Sequence, residues 1–78
     1  VELTARQFSV LEYLMRRGGE VVSKQAILDN VWDFAFDGDP NIVEVYVRQL
    51  RQRIDEPFAR ASLQTVRLVG YRLDPDGA

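Results

Sequence analysis

The chain has 78 residues, with 10 Lys or Arg, 12 Asp or Glu, no His and no Cys, and a formal net charge of −2. That length accommodates one domain, residues 1–78. Without Cys there is no disulfide framework and no thiolate metal site; without His there is no imidazole base and no Ser-His dyad. No apolar run approaches the roughly 18 residues that a membrane-spanning helix needs, and no signal-peptide pattern opens the sequence. A chain that is 46% hydrophobic and 28% charged reads as an ordinary soluble globular domain, and the lack of Cys suits a reducing, cytoplasmic setting.

The charge is segregated. Residues 1–40 carry four basic side chains against seven acidic ones, whereas residues 41–72 carry six basic against three acidic. All six of the latter basic residues are Arg, whose planar fork suits bidentate recognition of anions and base edges. Asp74 and Asp76 return negative charge to the tail.

In chain order, Thr4 followed by Gln7 reads as a capping box, with Leu3 and Phe8 at the positions of a hydrophobic staple. Phe8, Val10, Leu11, Leu14 and Met15 then fall on one broad face, which predicts a first helix over residues 5–17. Arg16 and Arg17 give a basic last turn, and Gly18-Gly19 ends it. Glu20-Val21-Val22 is a short extended link. Ser23 is the next N-cap, and Ile27, Leu28, Val31 and Trp32 give an apolar stripe, so a second helix is expected over 24–32. Residues 33–39 carry turn chemistry. Asp39 caps a third helix, with Pro40 at its first position, and the helix runs to about Ile54 before Pro57. The pattern then alternates. Residues 63–73 predict a β-hairpin in which Leu68-Val69-Gly70 is the tight connection and Gly70 supplies a positive φ. The expected class is α+β: a winged helix-turn-helix, three helices followed by a hairpin wing.

The third helix carries the strongest functional signal. At about 100° per residue, Val43, Tyr46, Val47, Leu50 and Ile54 converge on a core stripe. The opposite face carries Asn41, Glu44, Val45, Arg48, Gln49 and Gln52, with Arg51 at the border. Arg, Asn and Gln make bidentate hydrogen bonds to purine edges in the major groove, Val45 suits a thymine methyl, and Glu44 suits a cytosine amine or an Arg48 one turn on. The bland alternative is a solvated helix face, for which polar residues are the default. The hairpin adds Arg67 beside the turn and Arg72 beyond it, and a groove-reading helix plus a basic hairpin is a winged-helix layout. Here too a bland account exists: Arg67 pairing with a surface carboxylate, and Thr65 and Tyr71 as simple strand formers.

The segments LTARQFSVLEYLMRRGGEVVSKQAIL with the following VW, then NIVEVYVRQLRQRID, then LQTVRLVGYRL, resemble the effector domain of OmpR/PhoB-family bacterial response regulators over residues 3–73. The resemblance implies a sequence-specific double-stranded DNA reader without enzymatic activity or cofactor, preceded in the full-length protein by a phosphorylated receiver served by a sensor kinase. It implies a domain monomeric in isolation and dimeric on direct-repeat DNA. Carried over by position, Asn41, Glu44, Val45, Arg48, Gln49, Arg51 and Gln52 fall on the recognition helix, and Thr65, Arg67 and Tyr71 on the wing. The loop holding Asp33, Phe34, Phe36, Asp37 and Asp39 matches a segment that touches RNA polymerase. Two positions depart from the family pattern: Gln49, often Arg, and Leu68, often Gly. The resemblance further implies that the chain is a fragment, lacking the receiver and most of an N-terminal sheet, so that apolar side chains meant for that sheet are exposed.

Three other readings have sequence support. Asp33, Asp37, Gly38, Asp39, Asn41 and Glu44 follow part of a calcium-loop pattern, but Ala35 and Pro40 interrupt it. Ser9, Ser23 and Ser62 have no imidazole partner, and no Gly-rich phosphate loop is present, which argues against catalysis. A winged helix used for protein contact, docking through the aromatic stretch Trp32–Phe36, is the main alternative.

Overall fold

The computed structural model describes residues 2–32, 38–59 and 61–74. Helix α1 spans Ala5–Arg16, α2 Lys24–Val31 and α3 Ile42–Leu50; strands β1, Leu63–Val66, and β2, Gly70–Leu73, follow as an antiparallel hairpin. The first two helices begin where their sequence chemistry says they should. The capping box closes on α1, with Thr4 Oγ1 accepting from the Gln7 N–H and Gln7 Oε1 accepting from the Thr4 N–H. Ser23 Oγ accepts from the Ala26 N–H at the start of α2. Ahead of α3 the Asp39 carboxylate accepts from the Asn41 N–H, and the first turn is tight, the Ile42 N–H donating to Asp39 O. The expected cap is therefore displaced: α3 starts at Ile42, two residues beyond Pro40, its N-cap is Asn41 with no side-chain cap hydrogen bond, and Asp39 closes the turn that leads into it.

The core gathers Val10 and Leu14 from α1, Ile27, Leu28 and Trp32 from α2 and its cap, Val43, Val47 and Leu50 from α3, and Leu63 and Tyr71 from the hairpin. The α1 face is narrower than expected. Gln7, Val10 and Leu14 are buried, but Phe8 is 52% and Met15 59% exposed. These two lie at the edge of the apolar arc, where none of the described elements covers them. Trp32 meets Tyr46 edge-on, with centroids 5.2 Å apart, and the Arg6 guanidinium stands 5.1 Å from the Trp32 ring.

Two expectations need correction in detail. The third helix does not remain α-helical to Ile54: Arg51–Asp55 form a π-helical turn, followed by a 3₁₀ turn at Glu56–Phe58. A wider turn advances less per residue, so Asp55 rather than Ile54 comes to face inward; Asp55 is buried and Ile54 only half-buried. Nor does Gly70 form the tip of the hairpin. The turn is Val66–Val69, closed by the Val69 N–H donating to Val66 O, and its left-handed residue is Leu68, at φ 68°. Gly70 does carry the expected positive φ, 158°, and it is required for a second reason as well. A Cβ there would stand 1.9 Å from the carbonyl oxygen of Val22. The extended link before α2 comes this close because Val22 and Tyr71 exchange two backbone hydrogen bonds of 2.8 Å, tying the link to β2.

Candidate nucleic-acid interface

The segment that follows α3 and the hairpin are joined by polar side chains. Asp55, 3% exposed, accepts from the Ser62 N–H, the Ser62 hydroxyl and the Leu63 N–H at 3.1, 2.7 and 3.0 Å. Burial raises its pKa, but these hydrogen bonds and the nearby Arg51 charge outweigh burial and leave the group below its ordinary value. Arg51 completes the joint, donating from Nε to Leu63 O at 3.0 Å and from its guanidinium to Thr65 Oγ1.

The structure sorts the expected contact residues into three groups. Arg48, Gln52 and Arg67 are exposed, and no hydrogen bond or ion pair within the described residues engages them; Val45 is exposed beside them. These are available to a ligand as they stand. A second group is exposed but already engaged. Lys24, at the start of α2, donates to Glu44 Oε1 at 2.9 Å and Asn41 Oδ1 at 3.1 Å, and Glu44 raises the Lys24 pKa. Thr65 is held by Arg51. The third group serves the fold. Gln49 is half-buried and accepts from Gln7 Nε2 of α1 at 2.9 Å; Arg51 is half-buried in the joint; Tyr71 is 7% exposed and packs in the core. Burial raises the Tyr71 pKa, and the Glu44 charge adds to the rise.

Lys24 is the residue that sequence reasoning missed. It neutralises the carboxylate that α3 would otherwise turn toward an anionic partner, and its signal is purely spatial, being 20 residues from Glu44. A groove of about 470 Å³ runs between the N-terminus of α2, Glu44 and the hairpin. Of the segment expected to touch polymerase, Asp33, Phe34, Phe36 and Asp37 lie outside the described residues; the Asp39 carboxylate accepts from the Asn41 N–H in the turn before α3. Asp33 and Asp37 of the calcium pattern are likewise outside, and Glu44 is in its ion pair with Lys24.

A family described as "Transcriptional regulatory protein, C terminal" matches residues 1–73. The chain belongs to that family. It is 46% identical over 77 residues to the transcriptional regulatory protein TcrA of Mycobacterium tuberculosis, covering 99% of this chain and 30% of TcrA. It is 45% identical over 78 residues to CusR of Escherichia coli K12, covering 99% and 34%. The chain thus spans about a third of the length of these curated relatives. Among solved structures, the DNA-binding domain of Bacillus subtilis CssR superimposes with a TM-score of 0.81 at 29% identity, over 94% of this chain and 78% of that one. The AdeR DNA-binding domain shares the fold, with a TM-score of 0.83 at 24% identity, over 95% and 76%. The OmpR/PhoB-type resemblance and the winged-helix fold are therefore both shown.

Proposed function

We propose that this OmpR/PhoB-type domain reads double-stranded DNA as the transcriptional effector of a response regulator, with α3 in the major groove and the hairpin at a neighbouring groove or phosphate run. The observation that carries this reading is the set of unengaged cations, Arg48 and Arg67, on two elements locked to each other through Asp55 and Arg51. Such a rigid pair fixes the spacing between a base-reading side chain and a positioning one. Arg48 with Gln52 and Val45 would read base edges, and Asn41 would follow once released from Lys24. Family membership supports this reading over a protein-docking winged helix, and it points to a reader rather than a catalyst.

The relatives' extra length fits a receiver in the full-length protein, switched by a kinase and dimerising on direct repeats, with residues 33–39 as the proposed polymerase contact. No helix among the described residues is long and apolar enough to cross a membrane, and a cytoplasmic location fits the family. Salt titration of duplex binding tests the electrostatic part. The logarithm of the binding constant should fall with the logarithm of salt with a slope of about −0.9 per phosphate neutralised, and Arg67→Ala should reduce that slope by about 1 while leaving base preference unchanged. An unchanged slope would remove Arg67 from the phosphate contacts.

A further inference from the structure

The side-chain amide of Gln7 is used at both ends. Gln7 is 6% exposed; its Oε1 accepts from the Thr4 N–H at 3.0 Å, and its Nε2 donates to Gln49 Oε1 at 2.9 Å. The order of these bonds fixes every atom in the relay. A backbone N–H only donates, so Gln7 must turn its oxygen to Thr4 and its nitrogen to Gln49. Gln49 must then turn its oxygen to Gln7, which leaves its own nitrogen for the other side. That nitrogen has no hydrogen-bond partner among the described residues, and no buried side-chain nitrogen or oxygen among them is unpartnered. Gln49 Nε2 therefore reaches solvent, on the flank of α3 one helical turn from both Val45 and Gln52. The cap of α1 thus sets the hydrogen-bonding polarity of a side chain on α3.

That polarity changes what Gln49 can read. A glutamine with both ends free bonds adenine through an oxygen that accepts from the N6 amine and a nitrogen that donates to N7. With its oxygen committed to Gln7, Gln49 offers N–H donors only. Donors match the keto edges of the major groove, guanine O6 with N7 and thymine O4; they meet the adenine N6 and cytosine N4 amines donor against donor. We infer that Gln7 is a positioning residue that turns the Gln49 amide nitrogen outward, so that α3 selects guanine or thymine at that position rather than adenine or cytosine. The inference rests on the DNA-reading function proposed above and names the base class that one side chain of that site takes. Asn41 is under the same constraint for as long as Lys24 donates to its Oδ1 at 3.1 Å. Gln52 is unengaged and Glu44 has only Oε1 on Lys24, so both keep acceptors and the restriction does not extend to the whole face.

The test is selection of bound duplexes from a random-sequence pool by the intact chain, artificially dimerised. Gln49→Ala locates the base position that Gln49 reads. There the wild type should favour guanine or thymine by roughly fivefold or more over adenine and cytosine. Gln7→Glu preserves the capping box, because a carboxylate also accepts from the Thr4 N–H, but it has no donor for Gln49. The Gln49 amide should turn over, nitrogen inward and oxygen outward, and the preference at that one position should pass to adenine or cytosine while the other positions stay as they are. Gln7→Met keeps the bond from its backbone N–H to Thr4 Oγ1 and so keeps the cap, but holds neither end of the relay; it should free the amide and admit adenine. Circular dichroism establishes that each variant is folded, and Gln7→Met decides if Gln7→Glu is not. An unchanged preference at that position in the folded variants would overturn the inference even if affinity fell uniformly, as would adenine there in the wild type or a Gln49→Ala that alters no position. A motif that depends on Arg48 but ignores Gln7 would sink this inference alone; if the wild type enriched no motif, the DNA reading itself would fall, and this inference with it.

Discussion

At Asp55, burial and hydrogen bonding pull in opposite directions, and hydrogen bonding wins. The carboxylate satisfies two backbone N–H groups and one hydroxyl of the segment leading into β1. Asp55→Ala would leave the two N–H groups buried without an acceptor, at roughly 2–4 kcal/mol in total. Asp55→Asn should cost nearly as much, since an amide can keep one acceptor but turns a donor toward the other N–H. The direction of the pKa shift fixes the pH dependence. A folded-state value below the ordinary 3.8 stabilises the fold above that value, and the contribution is lost as pH falls through the lowered one. Chemical denaturation of the wild type from about pH 6 down to pH 3 should show declining stability below about pH 4, and Asp55→Asn should flatten that decline. Parallel declines in the two proteins would show that other carboxylates carry the acid response.

At the scale of elements, the joint between α3 and the hairpin decides whether two unengaged arginines act as one surface. Arg51 reaches from the π-helical turn to Leu63 and Thr65. Arg51→Ala should cost about 1–2 kcal/mol of stability. A double-mutant cycle with Thr65→Val should reveal coupling of at least about 0.5 kcal/mol; strict additivity would show that the contact is incidental. Much of this architecture was legible in the sequence. The caps at Thr4 and Ser23, the turn chemistry at Asp39-Pro40 and the period change after Pro57 located the helices and the hairpin, because these signals are local. What escaped was set by tertiary geometry. Nothing in the 51–55 stretch announces a wider turn that carries Asp55 inward. Gly70 was correctly read as a positive-φ residue, but the second demand on it, the approach of Val22, lies 48 residues away in the chain and could not be read. The same holds for the site. The outward face of α3 was read from helical phase, yet phase cannot show that Gln49 is tied to Gln7, or that Lys24 holds Glu44 and Asn41.

At the scale of the molecule, a net charge of −2 conceals a functional division. The acidic residues are concentrated in residues 1–40, and the arginines in the part that forms α3 and the hairpin. The Lys24–Glu44 pair neutralises the one acidic side chain of α3, so the proposed DNA would meet the α3 arginine without an opposing free carboxylate on that helix. The apolar flank at Phe8 and Met15 lies on α1, outside the α3 and hairpin surface. The central claim is that the outward face of α3 selects DNA sequence, and the most direct measurement is recovery of bound duplexes from a random-sequence pool, with wild type and Arg48→Ala side by side and the domain artificially dimerised. The account predicts a motif enriched in direct repeats by the wild type, with Arg48→Ala losing about 1–3 kcal/mol of affinity and its preference at one position of each repeat. A motif recovered equally well by Arg48→Ala would contradict the assignment of α3 as the reading element, and no enrichment by a folded wild type would contradict the DNA-reading function.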